Sequence, residues 1–238
     1  MNAMQKVGLF VFAMASGIWL GTPGVHAGQI YLNGLATGAG TATVNVQSFQ
    51  SRKFSTTIHQ AYDFSCGSAA LATLLTFTYH KPITEGDVFT SMFLNGDQPA
   101  IRQYGFSLLD MKNYLSRQGL PSGGFKAPLS KLAEVKIPAI VLINEHGYRH
   151  FVVIRGIRDN EVLLADPALG LRAESLSDFK KQWSGIFFIV LADVQIAQAN
   201  FNGIDDWSGE PGAPFDLSRF SVNLSTLQQV TIPVSNQF

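Results

Sequence analysis

A thiol, an imidazole and a carboxylate occur in that order along this chain, each in a setting suited to acyl transfer. Cys66 is the only cysteine, in Ser65-Cys66-Gly67-Ser68-Ala69-Ala70, and a lone thiol has no internal disulfide partner. A free cysteine is often no more than a small buried hydrophobe, but Cys66 falls where a loop turns into a helix. There the unpaired N–H groups and the helix dipole favour the thiolate, so the thiol pKa is expected to fall below its usual value of about 8.5. Gly67 is expected to leave room for a substrate backbone.

His150 opens the apolar run Phe151-Val152-Val153-Ile154. An imidazole at a strand start faces a groove while the strand behind it is fixed in the core. It could take the proton of Cys66 and return it to a leaving amine. A histidine satisfied in a turn is the plainer alternative. His146, in Glu145-His146-Gly147-Tyr148, competes for the role. Its glycine neighbour marks a loop, and His150 is preferred. Asp166 follows Val162-Leu163-Leu164-Ala165 and precedes Pro167. Its carboxylate could accept a hydrogen bond from the second ring nitrogen of His150 and set the tautomer, although Asp-Pro is also a common turn initiator. Gln60 lies six positions before Cys66. Either it is an ordinary exposed glutamine, or its amide joins the Cys66 N–H as an oxyanion donor, worth about 3 kcal/mol in a transition state. No second cysteine and no paired histidines on a helix point to a metal. No phosphate loop or dinucleotide fingerprint occurs, and no cofactor is expected.

The elements around these residues are legible from caps and periodicity. Ser65 reads as an N-cap, and Ala69, Ala70, Leu71, Leu74, Leu75 and Tyr79 form the stripe of a central, Ala-rich helix that ends at Lys81-Pro82. A second helix is expected from Thr84 to near Gly96. A third starts at Ser107 with Gly119 at C′, and a short fourth covers Leu129 to Val135. The period then changes. Ala139–Ile143, His150–Arg155, Val162–Ala165 and Ile186–Leu191 read as strands, with a helical turn or two over Ser177–Trp183. Helices first and strands second predict an α+β fold, with helices packed on one side of a mostly antiparallel sheet.

The 238 residues are 46% hydrophobic, enough for one substantial core. Lys+Arg and Asp+Glu are both 17, so no basic surplus points to nucleic acid. Lys6, the apolar run Val7–Leu20, the break Thr22-Pro23-Gly24 and Val25-His26-Ala27 read as a signal peptide cleaved before Gly28. The run is shorter than the roughly 20 residues of a spanning helix, and no lipobox cysteine follows it. The expected organisation is a signal peptide over 1–27, a flexible lead-in over 28–53, a compact domain over 54–193, and a linker with a loosely ordered tail over 194–238. No integral membrane domain is expected after signal cleavage, and the expected location is the periplasm.

The pattern Gln60-x-x-Asp63-x-x-Cys66-Gly67-x-Ala69-Ala70, then His150-Phe151-Val152-Val153, then Asp166-Pro167, resembles the bacteriocin-processing, double-glycine cysteine peptidases. The resemblance spans about Thr57 to Ala192. It implies a papain-like domain with Cys66 as nucleophile, His150 as general base, Asp166 as its orienter and Gln60 as oxyanion donor. Those peptidases sit in front of exporters, whereas this chain carries its own export signal. It looks most like the stand-alone peptidase components of functional-amyloid secretion systems. The implied partners are a polypeptide substrate, amyloid subunits and an outer-membrane secretion pore. The implied function is peptide-bond cleavage in secreted or amyloid-type subunits through a thioester. The alternatives are a non-hydrolytic chaperone or adaptor using the same groove, and a cell-wall amidase or acyltransferase.

Overall fold

The computed structural model describes residues 28–32, 42–46 and 48–209. The expected signal peptide and most of the expected tail lie outside them. Within the expected lead-in, β1 (Gly28–Leu32) and β2 (Ala42–Val46) pair antiparallel as a two-stranded unit. The rest of the description concerns the second unit, which begins after Val46.

That unit opens with α1 (Phe49–Lys53), capped by the Ser48 hydroxyl, which accepts from the Ser51 N–H. Residues 54–60 form turns and an irregular lead into α2 (Cys66–Thr78). Every residue of α2 from Cys66 to Leu75 is buried. A helix apolar on all sides belongs in the middle of a domain, and the alanines let its neighbours approach closely. Thr84 caps α3 (Glu85–Leu94), and Ser107 forms a reciprocal capping box with Asp110 at the start of α5 (Leu108–Arg117). Between them lies α4 (Gln98–Tyr104), which periodicity did not reveal. Then come β3 (Ser122–Lys126), α6 (Leu129–Val135), β4 (Ala139–Glu145), β5 (Tyr148–Arg158), β6 (Glu161–Asp166), β7 (Gly170–Ser175), α7 (Leu176–Gln182) and β8 (Trp183–Val190).

The six strands β3–β8 form one sheet in the order β3-β8-β4-β5-β6-β7, and each neighbouring pair is antiparallel. Period-two alternation divides β5 between two cores. Phe151 and Val153 face Leu71, Leu74, Met92 and Met111 of the N-terminal helices. Val152 and Ile154 face the opposite way, toward Leu129, Leu132 and Phe179 of α6 and α7. Helices therefore cover both faces, not one side as periodicity suggested. This explains why β5 reads as a continuous apolar run.

The chain after Asp193 also differs from the expected linker. It forms α8 (Val194–Ala199) and α9 (Ile204–Gly209). Asn202 donates its N–H to the Arg155 carbonyl at 3.0 Å and its side-chain amide to the Ile157 carbonyl at 2.9 Å. A Cβ at Gly156 would lie 2.2 Å from Asn202 Oδ1, so only glycine permits this approach. Asp206 reaches Arg155 with both partners buried (Nη2–Oδ2 2.6 Å, Nε–Oδ2 3.2 Å). Asn202 and Asp206 are thus clamped to the β5 bulge between Ile154 and Gly156. Among the described residues, no helix is long and apolar enough to cross a membrane.

Candidate active site

Cys66 is the first residue of α2, and the start of this helix is not capped as the sequence suggested. The Ser65 hydroxyl turns back, accepting from the Tyr62 N–H and donating to the Tyr62 carbonyl, both at 3.0 Å. It closes the 62–65 turn and makes no side-chain cap. The N–H groups of Cys66 and Gly67 instead face the Cys66 sulfur, together with the N–H of Phe151 from β5. These donors favour a negative sulfur. Burial works harder in the other direction, pushing the Cys66 thiol up, and the Asp166 charge adds to that. The net direction is upward, against the lowering expected from the helix start. Gly67 also serves a different purpose from the one expected. A Cβ there would lie 2.9 Å from Phe106 Cβ and 3.0 Å from Met111 Cε, so the glycine seats α2 against the start of α5.

His150 stands beside Phe151, whose N–H meets the sulfur, and it is 2% exposed. Its Nε2 lies 3.2 Å from Asp166 Oδ2. Facing a carboxylate, Nε2 carries the proton in the neutral ring, which leaves the Nδ1 lone pair as an acceptor. Nδ1 is buried and has no hydrogen-bond partner among the described residues. A buried acceptor left open costs about 1–3 kcal/mol, and such sites are retained where chemistry needs them. The competitor His146 is exposed in the β4–β5 turn at φ +52°.

Asp166 is fully buried at the end of β6. Its Oδ1 accepts from the N–H groups of Ala168 (2.9 Å) and Leu169 (3.2 Å), and its Oδ2 from His150 and from Arg172 Nε (3.2 Å). Burial pushes this carboxyl up, but the hydrogen bond and charge of His150, the Ala168 N–H and Arg172 outweigh it, and the pKa ends below the ordinary value. A depressed carboxyl contributes stability above its unfolded pKa of about 3.9 and loses it as pH falls through the folded value. Thermal melts should therefore show a gap between wild type and Asp166→Asn at neutral pH that closes in acid. A gap unchanged by acidification would contradict the assignment.

Gln60 is joined to the same turn, its N–H donating to the Pro167 carbonyl at 3.0 Å. Its Nε2 donates to the Tyr62 carbonyl at 3.1 Å, and its buried Oε1 has no partner among the described residues. The amide also lies against the Tyr148 hydroxyl. Tyr148 is a site residue that sequence reasoning passed over. Its ring stacks on the His150 ring (centroids 5.1 Å apart), and its hydroxyl donates to the Asp63 carbonyl at 3.2 Å. The available signal was period two, which places residue 148 on the strand face of residue 150. Cys66 opens into a cleft of about 760 Å³, walled by Phe64, Phe106, Leu108, Leu109, Tyr148 and Phe151. Its size and apolar lining suit an extended polypeptide segment.

The sequence profile of the Peptidase C39 family matches residues 55–194, more than half of the chain. The chain belongs to the peptidase C39 family. This C39 member is a cysteine peptidase of α+β, papain-like fold. It is 42% identical over 154 residues to the probable functional amyloid protease FapD of Pseudomonas aeruginosa, covering 65% of this chain and 68% of that protein. The Pseudomonas fluorescens protein of the same name is 41% identical over 167 residues, covering 70% of this chain and 74% of that protein. Among solved structures, the peptidase domain of Streptococcus ComA, a bifunctional ABC transporter, aligns with 57% of this C39 chain and 96% of its own at 18% identity (TM-score 0.49).

Proposed function

We propose that the chain is an exported peptidase that cleaves secreted, amyloid-type subunits by a Cys66–His150–Asp166 mechanism in the periplasm. The observation that carries the mechanism is the buried His150–Asp166 pair with Nδ1 open, on the strand whose next residue, Phe151, turns its N–H to the Cys66 sulfur at a helix start in an apolar cleft. On this reading His150 Nδ1 takes the Cys66 proton as the sulfur attacks the peptide carbonyl carbon. The oxyanion is held by the Cys66 N–H and, once its amide turns from Tyr62, by Gln60. The C–N bond breaks as His150 returns the proton to the leaving amine. Water, deprotonated by the same imidazole, hydrolyses the thioester and frees the thiol. Asp166 keeps the ring in the tautomer this cycle requires. The amyloid-type substrate is supported by the two relatives named as probable functional amyloid proteases, and the exported location by the signal-like segment 1–27.

Incubating the purified protein with candidate exported subunits, and sequencing new termini by mass spectrometry, tests this. Wild type is expected to generate defined termini and Cys66→Ala none. If Cys66→Ala supports subunit processing and export as well as wild type, the groove is a holding site and the peptidase mechanism is wrong for these substrates. New termini on muropeptides alone would shift the reading to a cell-wall amidase.

A further inference from the structure

Beyond His150 and Asp166, the same sheet face carries a charge cluster. In the β6–β7 register Arg172 stands opposite Leu164 and Glu174 opposite Val162; in β4–β5, His150 stands opposite Ile143 and Glu145 opposite Tyr148. Leu164, Val162 and Ile143 all belong to the core on the α6–α7 face. Alternation therefore places Arg172, Glu174 and His150 on that face as well, and Glu145, two residues beyond Ile143, continues the row. The Arg172 guanidinium contacts three carboxylates. Nε donates to Asp166 Oδ2 at 3.2 Å, Nη2 to Glu145 Oε1 at 2.6 Å and Nη1 to Glu174 Oε2 at 3.1 Å. Glu174 is in turn held by Gln182, and Asp178 of α7 adds its negative charge there.

We propose that Arg172 is a positioning residue of the reaction: it shares Asp166 Oδ2 with His150, fixes that oxygen in place, and tempers the negative field under the imidazole. The inference rests on the Cys66–His150–Asp166 reading above. The geometry supports it in two ways. First, the four donors to Asp166 are two backbone N–H groups, His150 and Arg172. They fill the carboxylate's acceptor sites, so it cannot rotate away from the ring. Secondly, Asp166, Glu145 and Glu174 would put three negative charges on this face with Arg172 as the cation among them. Without it, three carboxylates would face the ring with no cation among them, a field that favours the charged imidazole over the neutral base. The charged and titratable groups on this face around His150 are then Asp166 from β6, Arg172 and Glu174 from β7, Glu145 from β4 and Tyr148 from its own strand. Arg172 also joins Asp166 to Glu145, the strand partner of Tyr148, so the ring above His150 and the carboxylate below it share one support.

The test is the rate of Cys66 alkylation by iodoacetamide across a pH series, read by intact mass on the full chain, whose single cysteine makes the signal unambiguous. Arg172→Met is expected to shift the acid limb upward by about one pH unit and to lower the plateau. Arg172→Lys restores one charge but not the planar three-way fork. It is expected to return the limb toward wild type while the plateau stays low. An unshifted limb in Arg172→Met overturns the proposal, even where the plateau falls, because a purely structural role predicts that result. Should Arg172→Met not fold, a wild-type plateau in Arg172→Lys overturns it. His150→Ala separates the two readings. If it follows the wild-type pH course, the catalytic assignment itself fails. If it departs from wild type and the Arg172 variants do not, only Arg172 loses its role.

Discussion

His150→Ala is expected to lower kcat/KM for peptide cleavage by about 10³–10⁴-fold, the scale of losing a general base that also positions a nucleophile. The reason is the state of the sulfur. Burial favours the protonated sulfur and outweighs the three N–H groups around it, so those groups do not by themselves favour a thiolate. The proton must pass to an acceptor, and the open Nδ1 of His150 is the buried one provided. Asp166→Asn is expected to be comparably damaging, because an amide can present either an oxygen or an N–H to Nε2 and so permits the wrong tautomer. His146→Ala serves as the internal control and should remain near wild type, its ring being exposed in the turn. The measurement is steady-state cleavage of whichever subunit gives defined termini, alongside thermal melts to show that the variants fold. A large loss in His146→Ala with little in His150→Ala would reverse the assignment.

Asp206→Ala is expected to destabilise the domain by about 3–5 kcal/mol, because it strands a buried guanidinium. Arg155 is 3% exposed, its Nη1 has no partner among the described residues, and Asp206 receives its other two donors. For a domain of this size that loss corresponds to a drop in Tm of roughly 10 °C or more. The double variant Arg155→Met/Asp206→Leu removes both charges and is expected to recover most of the loss. Denaturant titrations of the single and double variants decide the matter. A single-variant loss below about 1 kcal/mol would mean that water reaches Arg155, and that the pair is the surface kind.

Elements whose termini carry their own chemistry were readable from the sequence. Thr84 and Ser107 announced α3 and α5 through side chains that do cap them, and β4, β5, β6 and β8 appeared as apolar runs because both of their faces are covered. The edge strands β3 and β7 were not readable. Ser122-Gly123-Gly124-Phe125-Lys126 has only intermediate or exposed residues, and β7 is buried only at Gly170 and Leu171, so neither shows a run or a clean alternation. Overlooking β7 concealed Arg172 and Glu174, since their place beside Asp166 exists only through cross-strand register. Helix α4 was hidden because Ile101 is its only buried residue. At the site, types and order brought Gln60, Cys66, His150 and Asp166 into view. The direction of the thiol's shift was not readable, because it turns on how deeply α2 is packed, a property of the assembled fold. The β1–β2 pair and the helices after Asp193 likewise gave only weak patterns of their own.

The fit of Gly67 against Phe106 and Met111 has a practical side. The helix bearing the sulfur offers no side chain at this contact, and the side chains of Phe106 and Met111 lie directly on its backbone, so a shift of one segment presses on the other. Directed evolution of altered selectivity should therefore find its gains in what projects from that wall, at Leu108 and Leu109, and hardly ever at position 67. There the bulk of one extra methyl would have to be absorbed by moving the reactive centre itself.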